Sequence, residues 1–393
     1  MQKMYFDARD IFRSPRIALS LQRIWIQFVG LFVGYSGYLI LTYLSFLVAG
    51  LNFVTAWKKH GLLPCIFSET YNWIAVVVYA IGLIWLIVVY LISATAVSRA
   101  TYMTSKGNHF YTWRDAFKFS LKKSGSIILS PLAILILLGL FVFGGAVVGW
   151  LGKIPFVGEF GITLFTIFWF IASLVIVFFG IVLGVALIQA PAILATTDDD
   201  AFEAVFQSFS IVWTQPWRLI LYEALSGAMA VIGFVILAII SKKAYIVMDR
   251  IFSSTTGADF INIASHGMYI LSVWLTHSMI WINSIFGDWS NMFYFSREFD
   301  PLQLAHGYHY VASYIFALWM LFIGGLILSY GVASFNVGNT LTYLVLRKKK
   351  DDENLLERED KEEEDDEEET SENNDEKNVA DQNTNVEEDS SAD

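Results

Sequence analysis

Residues 73 to 97 read WIAVVVYAIGLIWLIVVYLISATAV, a stretch with no acid, base, amide or proline. Apolar side chains fall on every helical face, so the run is not the buried stripe of a soluble helix. A helix needs ~20 residues to cross the hydrocarbon of a bilayer, and inside hydrocarbon a helix satisfies its backbone amides within the one segment. The stretch therefore predicts a membrane-spanning helix. Composition agrees: 55% of the 393 residues are hydrophobic, with 32 Phe, 18 Tyr and 13 Trp but 7 Pro, which excludes a disordered chain and an ordinary soluble enzyme.

Outward from that segment, residues 24–57, 70–98, 124–152, 160–197, 224–241, 260–287 and 301–346 are also free of Asp, Glu, Lys and Arg. Basic residues are retained on the cytoplasmic side. Lys3, Arg9, Arg13, Arg16 and Arg23, the cluster from Arg99 to Lys123, and Arg347 to Lys350 all assign their segments to that side, whereas 51–72 and 153–159 carry only Lys58, Lys59 and Lys153. Both termini then lie inside and the number of crossings is even. That parity, with His277, Thr276 and Asn283 in its middle, assigns 267–286 to the outer surface, a crossing being the alternative. Six spans result, at about 24–50, 73–97, 125–151, 161–189, 217–241 and 309–331. The first span is expected to be retained, since its apolar run is longer than the ~7 to 15 residues of a signal-peptide core. The fold class is an all-α integral membrane protein: one transmembrane domain over 1–350 with an outer insertion at about 242–308, then 351–393.

That last segment holds 22 Asp and Glu against 3 Lys and Arg, so it carries −19 while the whole chain carries −11 and the first 350 residues are basic by +8. It cannot bury enough apolar surface to fold and is expected to be a disordered cytoplasmic tail, open to a basic partner and repelled by nucleic acid. The single Cys65 excludes an intrachain disulfide and a cysteine-based zinc site.

Two inner loops look alike. TWRDAFKFSLKK (112–123) has the capping-box spacing of Thr112 and Asp115, an apolar face of Trp113, Ala116, Phe117, Ser120 and Leu121, and a basic face of Arg114, Lys118 and Lys122. DAFEAVFQSFSIVWT (200–214) repeats the cap with Asp200 and Glu203, sets Phe202, Val205, Phe206, Phe209 and Trp213 on one face and leaves the outer face polar. These predict amphipathic elbow helices and, since DAFKFS aligns with EAVFQS, a span–elbow–span duplication. The segment before the first span and residues 332–346 would form a broken third elbow. Gly30 with Gly34, Gly145 with Gly149 and Gly180 with Gly184 have the spacing of close helix contacts.

Chemistry-bearing residues are few. Glu223 is the ionisable group placed inside a span, where it could hold a cation or proton, or pair with Arg218 or a headgroup. Gln189, Asn336 and Asn339 read as interhelical hydrogen-bonding groups. His306 and His309, three apart in the outer region, are metal-ligand candidates without a recognised motif, and surface histidines are the plainer reading. No Gly-rich phosphate loop, GxSxG or kinase signature occurs, so no cofactor and no enzymatic activity is expected.

The segment QAPAILATTDDDAFEAVFQSFSIVWTQPWRLIL (189–221) and the close YLVLRKKKDDENLLE resemble bacterial polytopic proteins grouped with the membrane domain of glycerophosphodiester phosphodiesterases. The shared features are structural and carry no catalytic residue. The resemblance implies a bacterial inner membrane and an accessory module. The reading is then a non-enzymatic scaffold whose partners are membrane lipids, other membrane proteins or a basic protein. A polytopic transporter or permease is the runner-up, and a metal-dependent membrane enzyme comes third.

Overall fold

The computed structural model describes residues 4–65, 72–275, 304 and 307–358. Within them the chain runs α1 (Ala8–Ile11), α2 (Ser14–Ala18), α3 (Leu21–Val48), α4 (Phe53–His60), α5 (Trp73–Lys106), α6 (Trp113–Lys122), α7 (Ser124–Leu151), α8 (Val157–Leu164), α9 (Thr166–Thr197), α10 (Ala201–Thr214), α11 (Pro216–Thr256), α12 (Ala258–Trp274), α13 (Gly307–Asp351) and a single 3-10 turn (Leu355–Glu357). There is no strand among the described residues. Six of these helices, α3, α5, α7, α9, α11 and α13, are long and apolar enough to cross a membrane. The chain is a multi-pass helical membrane protein.

The spans pair as consecutive hairpins: α3 with α5, α7 with α9, and α11 with α13. Burial concentrates at one end of the second helix of each pair, over 93–103 of α5, 189–197 of α9 and 336–346 of α13. These three ends pack on one another. They are rich in small side chains, among them Ala94, Ala96, Ala100, Ala190, Ala195, Gly338 and Thr342, which let backbones approach closely. The core therefore sits at the end of the bundle that the sequence assigns to the inner side, and residues 98–106, expected as loop, are helix within it.

An elbow helix packs on each hairpin: α6 on α5 and α3, α10 on α9 and α7, and α2 on α13 and α11. The local cause repeats. Thr112 and Asp115 form a full capping box, Asp200 accepts from Glu203 N at 3.1 Å, and Asp7 accepts from Arg9 N at 2.8 Å with Asp10 at the third helical position. The fourth helical residue, Ile11, Ala116 or Ala204, is apolar and fully buried each time. The third elbow is thus made by the N-terminal segment alone. Residues 332–346 are no part of it, because α13 runs unbroken to Asp351.

The elbows turn the expected way round only in part. On α10 the aromatic face of Phe202, Phe206 and Trp213 is exposed, and the face read as outer and polar, with Gln207 and Ser208, is buried. On α6, Trp113 and Leu121 are exposed while Ala116, Phe119 and Ser120 are buried. In lipid the apolar face is the outward one, so the polar face goes to the protein. Of the glycine pairs, a side chain at Gly30 would lie 2.2 Å from Ser93 Cβ, whereas Gly145, Gly149, Gly180 and Gly184 face open space among the described residues.

α11 runs 41 residues, past its expected limit of 241 to Thr256, and α13 runs 45, past its expected span chiefly at its other end, from 332 to Asp351. At 1.5 Å per residue that is roughly 60 Å or more, about twice the hydrocarbon thickness. The 17-residue α12 lies against the first turns of α13, where Ser313 Oγ donates to Ile263 O at 3.1 Å. Residues 267–274 thus belong to a helix packed on α13, and the remainder of the 267–286 segment, from 276 on, lies outside the described residues. The loop after α4 docks on α3 and α12: Tyr35 donates to Leu62 O, Tyr38 to Pro64 O (2.5 Å), Tyr43 to Gly61 O (2.5 Å), and Leu62 N to Trp274 O (3.0 Å).

The acidic segment starts in an ordered turn, not as free tail. Leu355 and Leu356 are buried, Tyr102 donates to Leu355 O at 2.8 Å, and Arg358 reaches Asp199 at 3.5 Å. Arg347 pairs with Asp351 and Glu353, and Lys348 holds the exposed Asp352 carboxyl below its usual range by hydrogen bond and charge. Residues 359–393, the rest of that expected tail, lie outside the described residues.

Candidate functional site

Glu223 lies about two turns into α11, half-buried against α9 and α13. Gln189 of α9, itself fully buried just before Pro191, donates its Nε2 to Glu223 Oε1. Asn339 of α13, with its amide nitrogen turned to the carboxylate, donates to Glu223 Oε2 and to Phe335 O, both at 3.1 Å. The contact zone between α11 and α13 continues on either side, with Ser226 Oγ 3.2 Å from Thr342 Oγ1 and Lys349 Nζ donating to Tyr222 OH at 2.9 Å.

Asn336 stands one helical turn from Asn339 on the same face of α13. It donates to Gln27 Oε1 of α3 at 2.9 Å and accepts from Tyr90 OH of α5 at 3.2 Å, while Gln27 Nε2 donates to Ser93 Oγ at 3.3 Å. The two groups, bridged by α13, tie five of the six spans through polar atoms. In a medium without water each such bond replaces an unmet donor or acceptor, and interhelical bonds of this kind contribute about 1 kcal/mol each.

Glu223, Gln189 and Asn339, all singled out by sequence, therefore meet at one place, and Asn336, singled out with them, belongs to the second group one turn away. Arg218 does not join them: its guanidinium lies 5.2 Å over the Trp217 ring. Gln27, Tyr90 and Ser93 were missed, though a glutamine inside the uncharged run 24–57 was a visible exception. Carboxylate, amides and phenol can orient a proton or small cation, or lock helices; no nucleophile with a base stands among them.

Of the two outer metal candidates, one falls within the described residues. His309 is buried on α13 with its ring 4.4 Å from that of Tyr308, and His306 lies outside the described residues. Among the described residues no group of three His, Cys, Asp or Glu could hold a metal ion.

Two clefts open at the end of the bundle that holds this core. One, of about 210 Å³, is lined by Arg13, Arg16, Ile17, Arg23, Thr104 and Ser105. The other, of about 430 Å³, lies between Lys123 and the acidic run Asp198, Asp199, Asp200 and Glu203, where Lys123 Nζ pairs with Asp198 at 2.7 Å. Asp198 takes a left-handed conformation (φ 55°) that ends α9 and turns the chain into α10.

No family model matches the chain, and no curated protein or solved structure is detectably similar to it.

Proposed function

We propose that the chain is a non-enzymatic accessory or scaffolding module of a bacterial inner membrane, presenting its elbow-lined inner end to lipids and partner proteins. The observation that carries this reading is that Glu223 is held by amides from two neighbouring helices at a closely packed inner end, an arrangement that locks a bundle. The basic inner flanks set both termini in the cytoplasm, and the accessory role agrees with the resemblance to the membrane domains above. The acidic residues of 359–393 supply the charge for a basic partner. Ending the chain after Arg358 keeps the docked turn and removes that charge. It is expected to strip a subset of the proteins that co-purify with the intact chain; an unchanged set refutes the scaffold.

Orientation has its own test. Cys65, half-buried with its Sγ 3.8 Å from Tyr79 OH, belongs to the outer end. A membrane-impermeant maleimide should label it on intact spheroplasts, and labelling confined to lysed cells would reverse the orientation.

A polytopic transporter or permease is the second reading, favoured by the convergence of Gln189 and Asn339 on Glu223, with Asn336 one turn away. It requires Glu223 to exchange a proton or cation with water.

A further inference from the structure

The docked turn at 355–357 decides where the acidic segment sets out. Arg358 reaches Asp199 at 3.5 Å. Lys123 Nζ donates to the carbonyl of that same Asp199 at 3.4 Å and pairs with Asp198 at 2.7 Å. Lys123 directly follows α6, so the chain leaves Arg358 beside the C-terminal end of that elbow. Along α6, Arg114, Lys118 and Lys122 stand four residues apart, which puts them on one stripe, and all three are exposed. The acid within α6, Asp115, is committed to the cap: its Oδ2 accepts from Thr112 N at 3.0 Å and from Thr112 Oγ1 at 2.6 Å.

We propose that residues 359–369 dock along this stripe of their own chain, so that the acidic segment covers the basic face of α6. These residues hold ten Asp and Glu against the single Lys361. Extended, they reach up to ~36 Å, whereas the 10 residues of α6 rise roughly 15 Å, so the whole stripe is within range. An anionic headgroup is the other ligand of matching charge. The tail has the advantage of its tether: Leu355 and Leu356 are buried and Arg358 is paired at the foot of the stripe, and a short tether supplies an effective concentration in the millimolar range. A basic protein that draws the tail away would uncover the stripe, which makes the pairing a reversible cover.

The inference goes beyond the proposed function and does not depend on it: truncation after Arg358 reports on partner proteins, whereas the test here reports on the chain's own face. The full chain, in bilayers of phosphatidylcholine or of phosphatidylglycerol, is treated with a carbodiimide, which joins a lysine amine to a carboxylate only where the two touch. Peptide mass spectrometry then locates the bonds. Lys118 should couple to an acid within 359–369 in both lipids, and the exposed Lys153, at the far end of α7, should not. Mixing isotope-labelled with unlabelled chains should show the bond within one copy. Arg114→Gln should lower the yield at Lys118 about threefold, the scale of one exposed ion pair, and Arg114→Lys should restore it. Salt at about 1 M, where the screening length is ~3 Å, should lower it at least as far. No coupling at Lys118, or equal yields at Lys118 and Lys153, overturns the docking. Bonds found only between copies overturn the intrachain assignment. Coupling that is present in phosphatidylcholine and absent in phosphatidylglycerol gives the stripe to headgroups and overturns the tail as its occupant.

Discussion

Gly30→Ala is expected to lower the unfolding free energy of the protein in detergent by about 3 kcal/mol, at the upper end of the usual overpacking cost. The new methyl would sit 2.2 Å from Ser93 Cβ and 2.5 Å from its Oγ, and a Cβ moves only with its backbone. Helices α3 and α5 must then part along their contact, which also stretches the Gln27–Ser93 hydrogen bond one turn away. Two controls make the mechanism specific. Gly145→Ala has nothing within 4 Å and should be neutral. Adding Ser93→Gly to Gly30→Ala leaves Ser93 Cα at 3.7 Å, an ordinary contact, and should recover most of the loss apart from the missing hydroxyl. A Gly30→Ala protein as stable as the native one would refute the close approach.

Glu223→Ala is expected to cost a similar amount, about 2 to 3 kcal/mol, for a different reason. It deletes the acceptor of both Gln189 Nε2 and Asn339 Nδ2 and leaves donors inside the bundle, each of which loses its desolvation compensation. Asn339 keeps Phe335 O, so its share of the loss is the smaller. Glu223→Gln retains an acceptor oxygen and should cost about 1 kcal/mol or less. The pair also separates the two functional readings. Proton uptake by proteoliposomes after a pH step, followed with an entrapped dye, should be the same for native and Glu223→Gln protein if the group is a lock. Uptake by the native chain that the glutamine abolishes would establish transport.

The spans were legible because their uncharged runs are long, and the start of α5 at Trp73 falls where the run itself predicts. Their ends were not. Lys242, Lys243, Asp249 and Arg250 interrupt the fifth run, yet α11 passes through all four, since outside the hydrocarbon a helix needs no apolar face on every side. Ser98, Arg99 and Thr101 look like loop but are buried at the junction of three helices. Arg99 is accommodated by the Phe119 ring 4.2 Å from its guanidinium and by Ala195 O at 3.1 Å, neither of which sequence brings near it. The polar cluster was half legible. Each amide stands out against its apolar neighbours, but that Gln27 meets Asn336 across 309 residues is a fact of packing alone.

The elbow of the last hairpin is supplied by the first residues of the chain. Those residues leave the ribosome before α11 and α13 exist, so their landing place is made only later. The N-terminal helices therefore dock only once the last hairpin has been made, and a nascent chain halted before Gly307 would leave α1 and α2 without the cover α13 gives them.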